Sequence, residues 1–500
     1  MQDQPYPADD AGAASDRPLD ALVIGVGFSG ICAGIKLRET GITNFRIYDK
    51  AQGIGGTWWD NVYPGAACDV PSHLYCFSFE PNPDWSRLFS PQPEIQQYAE
   101  HCVDKYGLRP HIEFGREVES MDFDDALGLW CTAFTNGAPA WSRFIIAGMG
   151  GLHKPMWPDI PGRSDFAGAA MHTAKWDRDF DPAGKRIAVI GSAASAIQAV
   201  PALAKSAAQV TLFQRTANYI APRNDLEYSD RQKRRFARNH LWARLYRWLI
   251  FMRLELFVYP IIGRRWYRTS RAKGVINFMR RAVRKPALHD ALAPHFELGC
   301  KRILISDDFY PSLNRDNVSL VTAGIDRIAV DGVVDALGNL HRADAIVFAT
   351  GFDIDGQFHG MDVTGANGIG LRDVWKDRVE AYRGVMVAGF PNFFMTTGPN
   401  TGVGTTSVIF MIEQTVGWIM RCIGDLKPGE TVTPREAAQR AYNDEIQALL
   451  GETVWATGCK SWYKREDGRI ETLVPYNARR FRREMKTVRA DDLILVSPDG

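Results

Sequence analysis

Twice along the chain an unbroken apolar run ends at a glycine. Ala21-Leu-Val-Ile24 meets Gly25-Val-Gly-Phe-Ser-Gly30, and Ile187-Ala-Val-Ile190 meets Gly191-Ser-Ala-Ala-Ser-Ala196. Each of these short apolar runs predicts a strand that leads into a glycine turn. Each leads into a helix-like stretch, Ile31 to Arg38 in the first case and through Ala204 in the second. A further apolar run follows each helix: Phe45-Arg-Ile-Tyr48, closed by Asp49, and Gln209-Val-Thr-Leu-Phe213, closed by Gln214-Arg215-Thr216. Strand, glycine turn, helix, strand is a βαβ unit, and it occurs twice.

Elsewhere the pattern is more varied. Residues 75–140 predict strands and loops with one helix, Gln92 to Tyr106. Phe144-Ile-Ile-Ala147 predicts a strand into Gly148-Met-Gly-Gly151, and the Pro-rich exit after His153 marks a crossover to a second domain. Phe166 to Asp177 shows no long apolar period and is expected to be an irregular linker. From 225 to 299, arginine, leucine and aromatic residues recur at helical spacing, predicting an inserted helical subdomain. Ala345-Ile-Val-Phe348 predicts a strand into Ala349-Thr-Gly-Phe-Asp353, Gly389 to Asn400 a strand and loop, and Thr405 to Ile423 a helix. The tail, 430–500, includes Trp462-Tyr463 and the basic run from Arg479, and is expected to pack on the outside.

Composition narrows the class. Five hundred residues, 45% hydrophobic and 23% charged, fit a soluble protein of two or three domains. A net charge of +1 exerts no general pull toward nucleic acid or an anionic membrane. The apolar stretch Leu249 to Ile262 is interrupted by Arg253, Glu255 and Pro260, so it does not span a bilayer. Its basic and aromatic character fits either an interfacial helix or, as preferred here, helices packed on a substrate entrance. The eight cysteines (32, 68, 76, 102, 131, 300, 422 and 459) form no C-x-x-C pair and no zinc-like spacing. They are expected to be reduced thiols in a cytoplasmic protein, with no metal and no redox pair of the flavin disulfide reductase kind. The acidic, Ala- and Pro-rich start lacks the regions of a signal peptide and is expected to be a flexible leader.

The two glycine turns differ in their chemistry. Gly25, Gly27 and Gly30 allow a tight turn and close backbone approach to a pyrophosphate at the helix N-terminus. Asp49, about 20 residues on, suits a ribose diol. In the second turn Gly191 stands with Ser192 and Ser195, but Ala193 and Ala196 replace two glycines, and a methyl at 193 crowds the pyrophosphate. Arg215, beside Thr216, takes the acid's place and pairs with a 2′-phosphate rather than a diol. FAD is therefore expected at the first turn and NADPH at the second. The expected fold is α/β, with two Rossmann-like dinucleotide-binding domains and the helical insert. Residues 1–19 form the leader, 20–150 and 352–500 the FAD domain, 151–224 and 300–351 the NADPH domain, and 225–299 the insert.

Further stretches carry a resemblance. Phe166, Gly168, His172, Trp176 and Asp177 fit F-x-G-x-x-x-H-x-x-x-W-[P/D]. Gly55-Gly56-Thr57-Trp58, Tyr63-Pro-Gly65 and Asp69 fit G-G-x-W-x-x-x-x-Y-P-G-x-x-x-D. Lys301-Arg302 precedes Tyr310 and Asn314-Arg-Asp-Asn-Val318. Together these resemble the type I Baeyer–Villiger monooxygenases. The resemblance implies that Gly56, Thr57, Trp58, Asp69 and Tyr75 face FAD, that Lys301 helps hold the 2′-phosphate, and that Thr350 and Gly351 belong to a closing cofactor segment. It implies Arg302 and Asp69 as the catalytic pair, with His172 and Trp176 coupling the cofactor positions. It also implies a reaction: NADPH reduces FAD, O2 gives a C4a-peroxyflavin, and attack on a ketone yields an ester or lactone, with sulfides also oxidised. A permanent cation for the developing oxyanion, a carboxylate to orient it and exclusion of water are what that chemistry asks of the site. The rivals are a flavin-containing monooxygenase acting on S or N heteroatoms, and a non-catalytic flavin-binding protein.

Overall fold

The computed structural model describes residues 17–353, 358, 360–402, 404, 406–459, 461, 463–465 and 467–497. Most of the expected leader, together with Thr405 and Trp462, lies outside them. Eight strands form the first sheet. Its centre is Leu19–Ile24, held in parallel between Phe45–Asp49 and Ala140–Ala147. Ile112–Phe114 extends one side, and an antiparallel run through Leu129–Phe134 and Val118–Asp124 extends the other. Phe393–Met395 returns late in the chain to pair with Ala140–Ala147.

The central strand is apolar throughout because both its faces are covered. Ala21 and Val23 face a core shared with Ile31 and Ile35 of helix Phe28–Glu39 and with Ile409 and Trp418 of helix Val408–Gly424. Leu22 and Ile24 face a second core with Ile145, Trp130 and Phe393. Each fully buried side chain of this size contributes about 1.5–3 kcal/mol. Gly34 lets the first helix sit close to the sheet, since a Cβ there would lie 2.9 Å from the Ile47 side chain.

The second sheet has five parallel strands in the order Val318–Val321, Gln209–Phe213, Arg186–Ile190, Ala345–Phe348, Ala169–His172. The last corrects the expectation of an irregular linker. Ala169, Ala170, Met171 and His172 pair in register with Ala345 to Phe348. Four residues, two of them alanine, carry little strand signal of their own; the neighbouring buried strand imposes the conformation.

Between strands Gln209–Phe213 and Val318–Val321 of the second sheet lie helices Asp230–Arg238, His240–Arg253 and Arg265–Ala282, with a π-helical turn Leu254–Val258. The tail also departs from expectation. Val454, Trp455, Tyr463, Leu473 and Phe481 are buried in the same core as the first helix. Asn400 donates from Nδ2 to the carbonyls of Ile470 at 2.8 Å and Leu473 at 2.9 Å, stitching this tail to the loop before helix Val408–Gly424. A further correction concerns the thiols: Cys300 and Cys459 are joined in a disulfide across 159 residues of sequence, while the other six cysteines are free. Nothing in so long a spacing signals a pair; the folded tail brings the two together. Among the described residues no helix is long and apolar enough to cross a membrane, and no acidic, His or Cys cluster could hold a metal.

Candidate active site

The first glycine turn is tied to the acid that follows it. Val26 N–H donates to Asp49 Oδ2 at 2.7 Å, and Ala51 N–H to Asp49 Oδ1 at 2.8 Å. Gly25 has φ +93°, a left-handed conformation that favours glycine. Gly27 caps helix Phe28–Glu39 without a side-chain hydrogen bond, which leaves the first helical N–H groups to other acceptors. Gly56, at φ +56°, lies back to back with Gly27, 2.9 Å from its Cα to an added Cβ. Next to it, Thr57 and Trp58 open a short helix, and Trp58 Nε1 donates to the Tyr75 hydroxyl at 3.0 Å.

The second turn repeats this plan. Gly191 has φ +113°, and an added Cβ would lie 2.3 Å from the Ala349 carbonyl. Ser192 Oγ donates to the Thr216 carbonyl and Asn218 Nδ2 donates to the Ser192 carbonyl, both at 3.0 Å. Ala193 is the uncapped start of helix Ala194–Leu203, whose first turn holds Ser195. Arg215 and Thr216 are exposed at the end of their strand. Burial first, then the nearby Arg215, pushes Lys301 below the usual lysine range. Two cations from segments far apart in sequence thus interact electrostatically. Beside this turn, Thr350 Oγ1 donates to the Met156 carbonyl at 2.5 Å and Met156 N–H donates to the Gly351 carbonyl at 2.9 Å.

Arg302 Nη2 donates to Asp69 Oδ2 at 2.5 Å. The pair is partly open to solvent: 44% of the arginine side chain and 28% of the aspartate side chain remain accessible. The Asp69 carboxylate raises Arg302 above its usual range, against the opposing cost of burial. Tyr463, whose hydroxyl burial pushes up to about 12, interacts with the same pair.

The segment bearing Asp69 is clamped by the second lobe. Tyr63 OH donates to Gln198 Oε1 at 2.7 Å, and Gln198 Nε2 donates to the Ala67 carbonyl at 2.9 Å. A Cβ on Gly65 would lie 2.5 Å from the Gln198 carbonyl, so only glycine lets the helix approach. Arg223 donates to the Phe89 carbonyl at 2.9 Å and the Cys68 carbonyl at 3.3 Å. Asp307 in turn accepts from the backbone N–H groups of Arg223, Asn224 and Asp225. Gln198, Arg223 and Asp307 carry no expectation from the sequence, and Tyr463 only that of an outward-packing tail residue. Gln198, polar among the apolar residues that follow Ser195 in helix Ala194–Leu203, is the one signal in the sequence.

The stretch from Phe166 divides. Phe166 packs on the apolar side of the second sheet, and Gly168 sits against the Asp344 carbonyl, 2.4 Å from an added Cβ. His172 is fully buried beside Trp157 and Phe352, accepts from Ala174 N–H at Nδ1, and directs Nε2 toward the Gly351 backbone without a full hydrogen bond. Burial holds its ring near 4, so it is neutral at ordinary pH. Trp176 stacks edge-on to Phe180, whereas Asp177 is exposed and caps only its own turn.

Two uncapped helix starts, each preceded by a glycine at positive φ (Gly25 and Gly191), fit two pyrophosphates. Asp49 at one and paired cations at the other fit FAD and NADPH respectively. A family model described as pyridine nucleotide-disulphide oxidoreductase matches residues 22–238. The structure titled OTEMO complex with FAD and NADP covers 96% of this chain and 100% of its own, with TM-score 0.86 at 26% identity. Cyclohexanone monooxygenase from Rhodococcus sp. Phi1, bound to NADP+, covers 96% and 100%, with TM-score 0.87 at 30% identity. A Baeyer–Villiger monooxygenase of Streptomyces coelicolor is 41% identical over 93% of this chain and 90% of its own. On that extent of identity, the chain belongs to the Baeyer–Villiger monooxygenase family.

Proposed function

We propose that the protein is an NADPH- and FAD-dependent Baeyer–Villiger monooxygenase that inserts one oxygen atom of O2 beside a ketone carbonyl, giving an ester or lactone. The observation that carries this reading is the Arg302–Asp69 pair, 2.5 Å apart, on a segment gripped by the lobe that carries the second glycine turn. Gly25, Gly27, Gly30 and Asp49 would hold FAD, with Gly56, Thr57, Trp58 and Tyr75 beside it. Gly191, Ser192, Ser195, Arg215, Thr216 and Lys301 would hold NADPH, with Thr350 and Gly351 closing the site. When bound, these cofactors supply the hydride and the activated oxygen.

The chain's own residues supply the rest. Arg302 keeps its charge at any working pH, so it stabilises negative charge on oxygen as substrate is attacked, without giving up a proton. Asp69 fixes the direction of that guanidinium. His172, neutral and buried, packs the linker strand against Trp157 and Phe352 rather than moving protons. The helical insert and the buried tail restrict water, which would divert the oxygen to hydrogen peroxide.

The test is mass spectrometry of products from a panel of ketones and sulfides under labelled oxygen gas. Ester or lactone carrying one labelled atom per NADPH consumed is the expected result, with sulfoxides from the sulfides. Sulfoxide or N-oxide alone, with every ketone returned unchanged, would overturn the assignment in favour of a heteroatom monooxygenase.

A further inference from the structure

The helical insert carries a feature that oxygen chemistry does not use. Helix His240–Arg253 exposes an apolar stripe at helical spacing: Leu241, Leu245, Trp248 and Leu249, with the half-buried Met252 in line. Leu256 on the π-helical turn continues it. Leu241 is 77% exposed, Trp248 53% and Leu256 58%, and Trp266 on the following helix reaches 70%. From Leu241 to Met252 the stripe runs about 17 Å at 1.5 Å per residue. Scattered apolar residues on a surface need no explanation, but a continuous helical stripe does.

Charge points to what covers it. Residues 225–299 hold 17 Lys and Arg against 6 Asp and Glu, a balance of +11 in a chain whose total is only +1. The cations stand beside the stripe. Trp248 and Met252 line a cavity of about 760 Å³ together with Arg244, Arg479, Arg482, Arg483 and Lys486. Among the residues lining it the one carboxylate is Glu413, which is already engaged by Ser78 N–H. Helix Ala478–Glu484 of the tail and the insert therefore present one basic face, edged by an exposed apolar ridge.

We infer that this face docks on an anionic phospholipid bilayer. The stripe sinks to the boundary of headgroups and acyl chains, and the flanking arginines meet lipid phosphates. A second copy of the chain fits less well. A twofold contact would set this basic face against its own charge.

The test uses the full-length, flavin-loaded protein and phosphatidylglycerol or phosphatidylcholine vesicles, scored by co-sedimentation. At low salt the protein is expected to sediment with phosphatidylglycerol at least tenfold more strongly than with phosphatidylcholine, and to be released by high salt. Replacing Trp248→Ser and Leu249→Ser together, at exposed positions the fold does not need, is expected to weaken binding on the order of tenfold. Arg482→Ser with Arg483→Ser is expected to remove most of the lipid preference. Equal partitioning to both lipids by the unaltered protein, or no sedimentation with either, overturns the proposal. So does a solution dimer, seen by light scattering, that the Trp248→Ser, Leu249→Ser change dissolves without any vesicle binding.

Discussion

Arg215 and Lys301 come from opposite sides of the helical insert; burial lowers Lys301 first, and the charge of Arg215 adds to that repulsively. A dianionic 2′-phosphate relieves that repulsion, whereas a diol does not. Arg215→Ala is therefore expected to raise the KM for NADPH on the order of tenfold while leaving that for NADH nearly unchanged. Steady-state kinetics with both nucleotides checks this, and equal changes would remove the 2′-phosphate argument. His172 makes a prediction of a different kind. Burial holds its ring near 4 in the folded protein, below the ordinary 6.5. Between those values the unfolded chain binds the extra proton, so stability is full above about pH 6.5 and is lost as pH falls toward 4. His172→Gln should remove a slope worth on the order of 3 kcal/mol across that window. Urea unfolding of both proteins over that pH range reads it, and parallel profiles would contradict it. At this scale the sequence made much legible. Asp69 and Arg302 stand in recognisable strings, and the structure joins them. Gln198 and Arg223 were not legible, because what they do is grip backbone carbonyls of another segment, and carbonyls carry no sequence signature.

The strands before the glycine turns were readable as elements, since burial on both faces leaves an unbroken apolar run. Helix Gln92–Lys105 was readable for the same kind of reason: its buried positions Ile95, Tyr98, Ala99 and Cys102 repeat at helical spacing. Strand Ala169–His172 was not, because an edge strand of four residues takes its conformation from Ala345–Phe348 beside it. The Cys300–Cys459 link was hidden likewise, being made by the fold of the tail. The first glycine turn separates a structural from a binding role. A Cβ on Gly30 would lie 1.8 Å from the Gly25 carbonyl, while one on Gly27 meets nothing nearer than 3.6 Å. Gly30→Ala should cost about 1–3 kcal/mol in stability. Gly27→Ala should cost less than about 1 kcal/mol yet purify with much less FAD. Thermal unfolding and the flavin-to-protein absorbance ratio check both. A Gly27→Ala protein with full flavin content would place the pyrophosphate elsewhere.

On the scale of the whole molecule, two lobes meet on the segment from Tyr63 to Asp69. The first lobe carries it, Gln198 and Arg223 of the second grip it, and Arg302 reaches Asp69 from a chain position 233 residues away. Tyr463 and the buried tail close the back of that meeting point. The arrangement pairs one fixed positive charge with Asp69 on the segment that both lobes hold. The most direct measurement is the yield of ester per NADPH consumed by Arg302→Ala, with bleaching of the yellow protein by NADPH under nitrogen as the control. Bleaching should persist while ester yield falls on the order of 10²–10³-fold. Ester formed at the unaltered ratio would contradict the account.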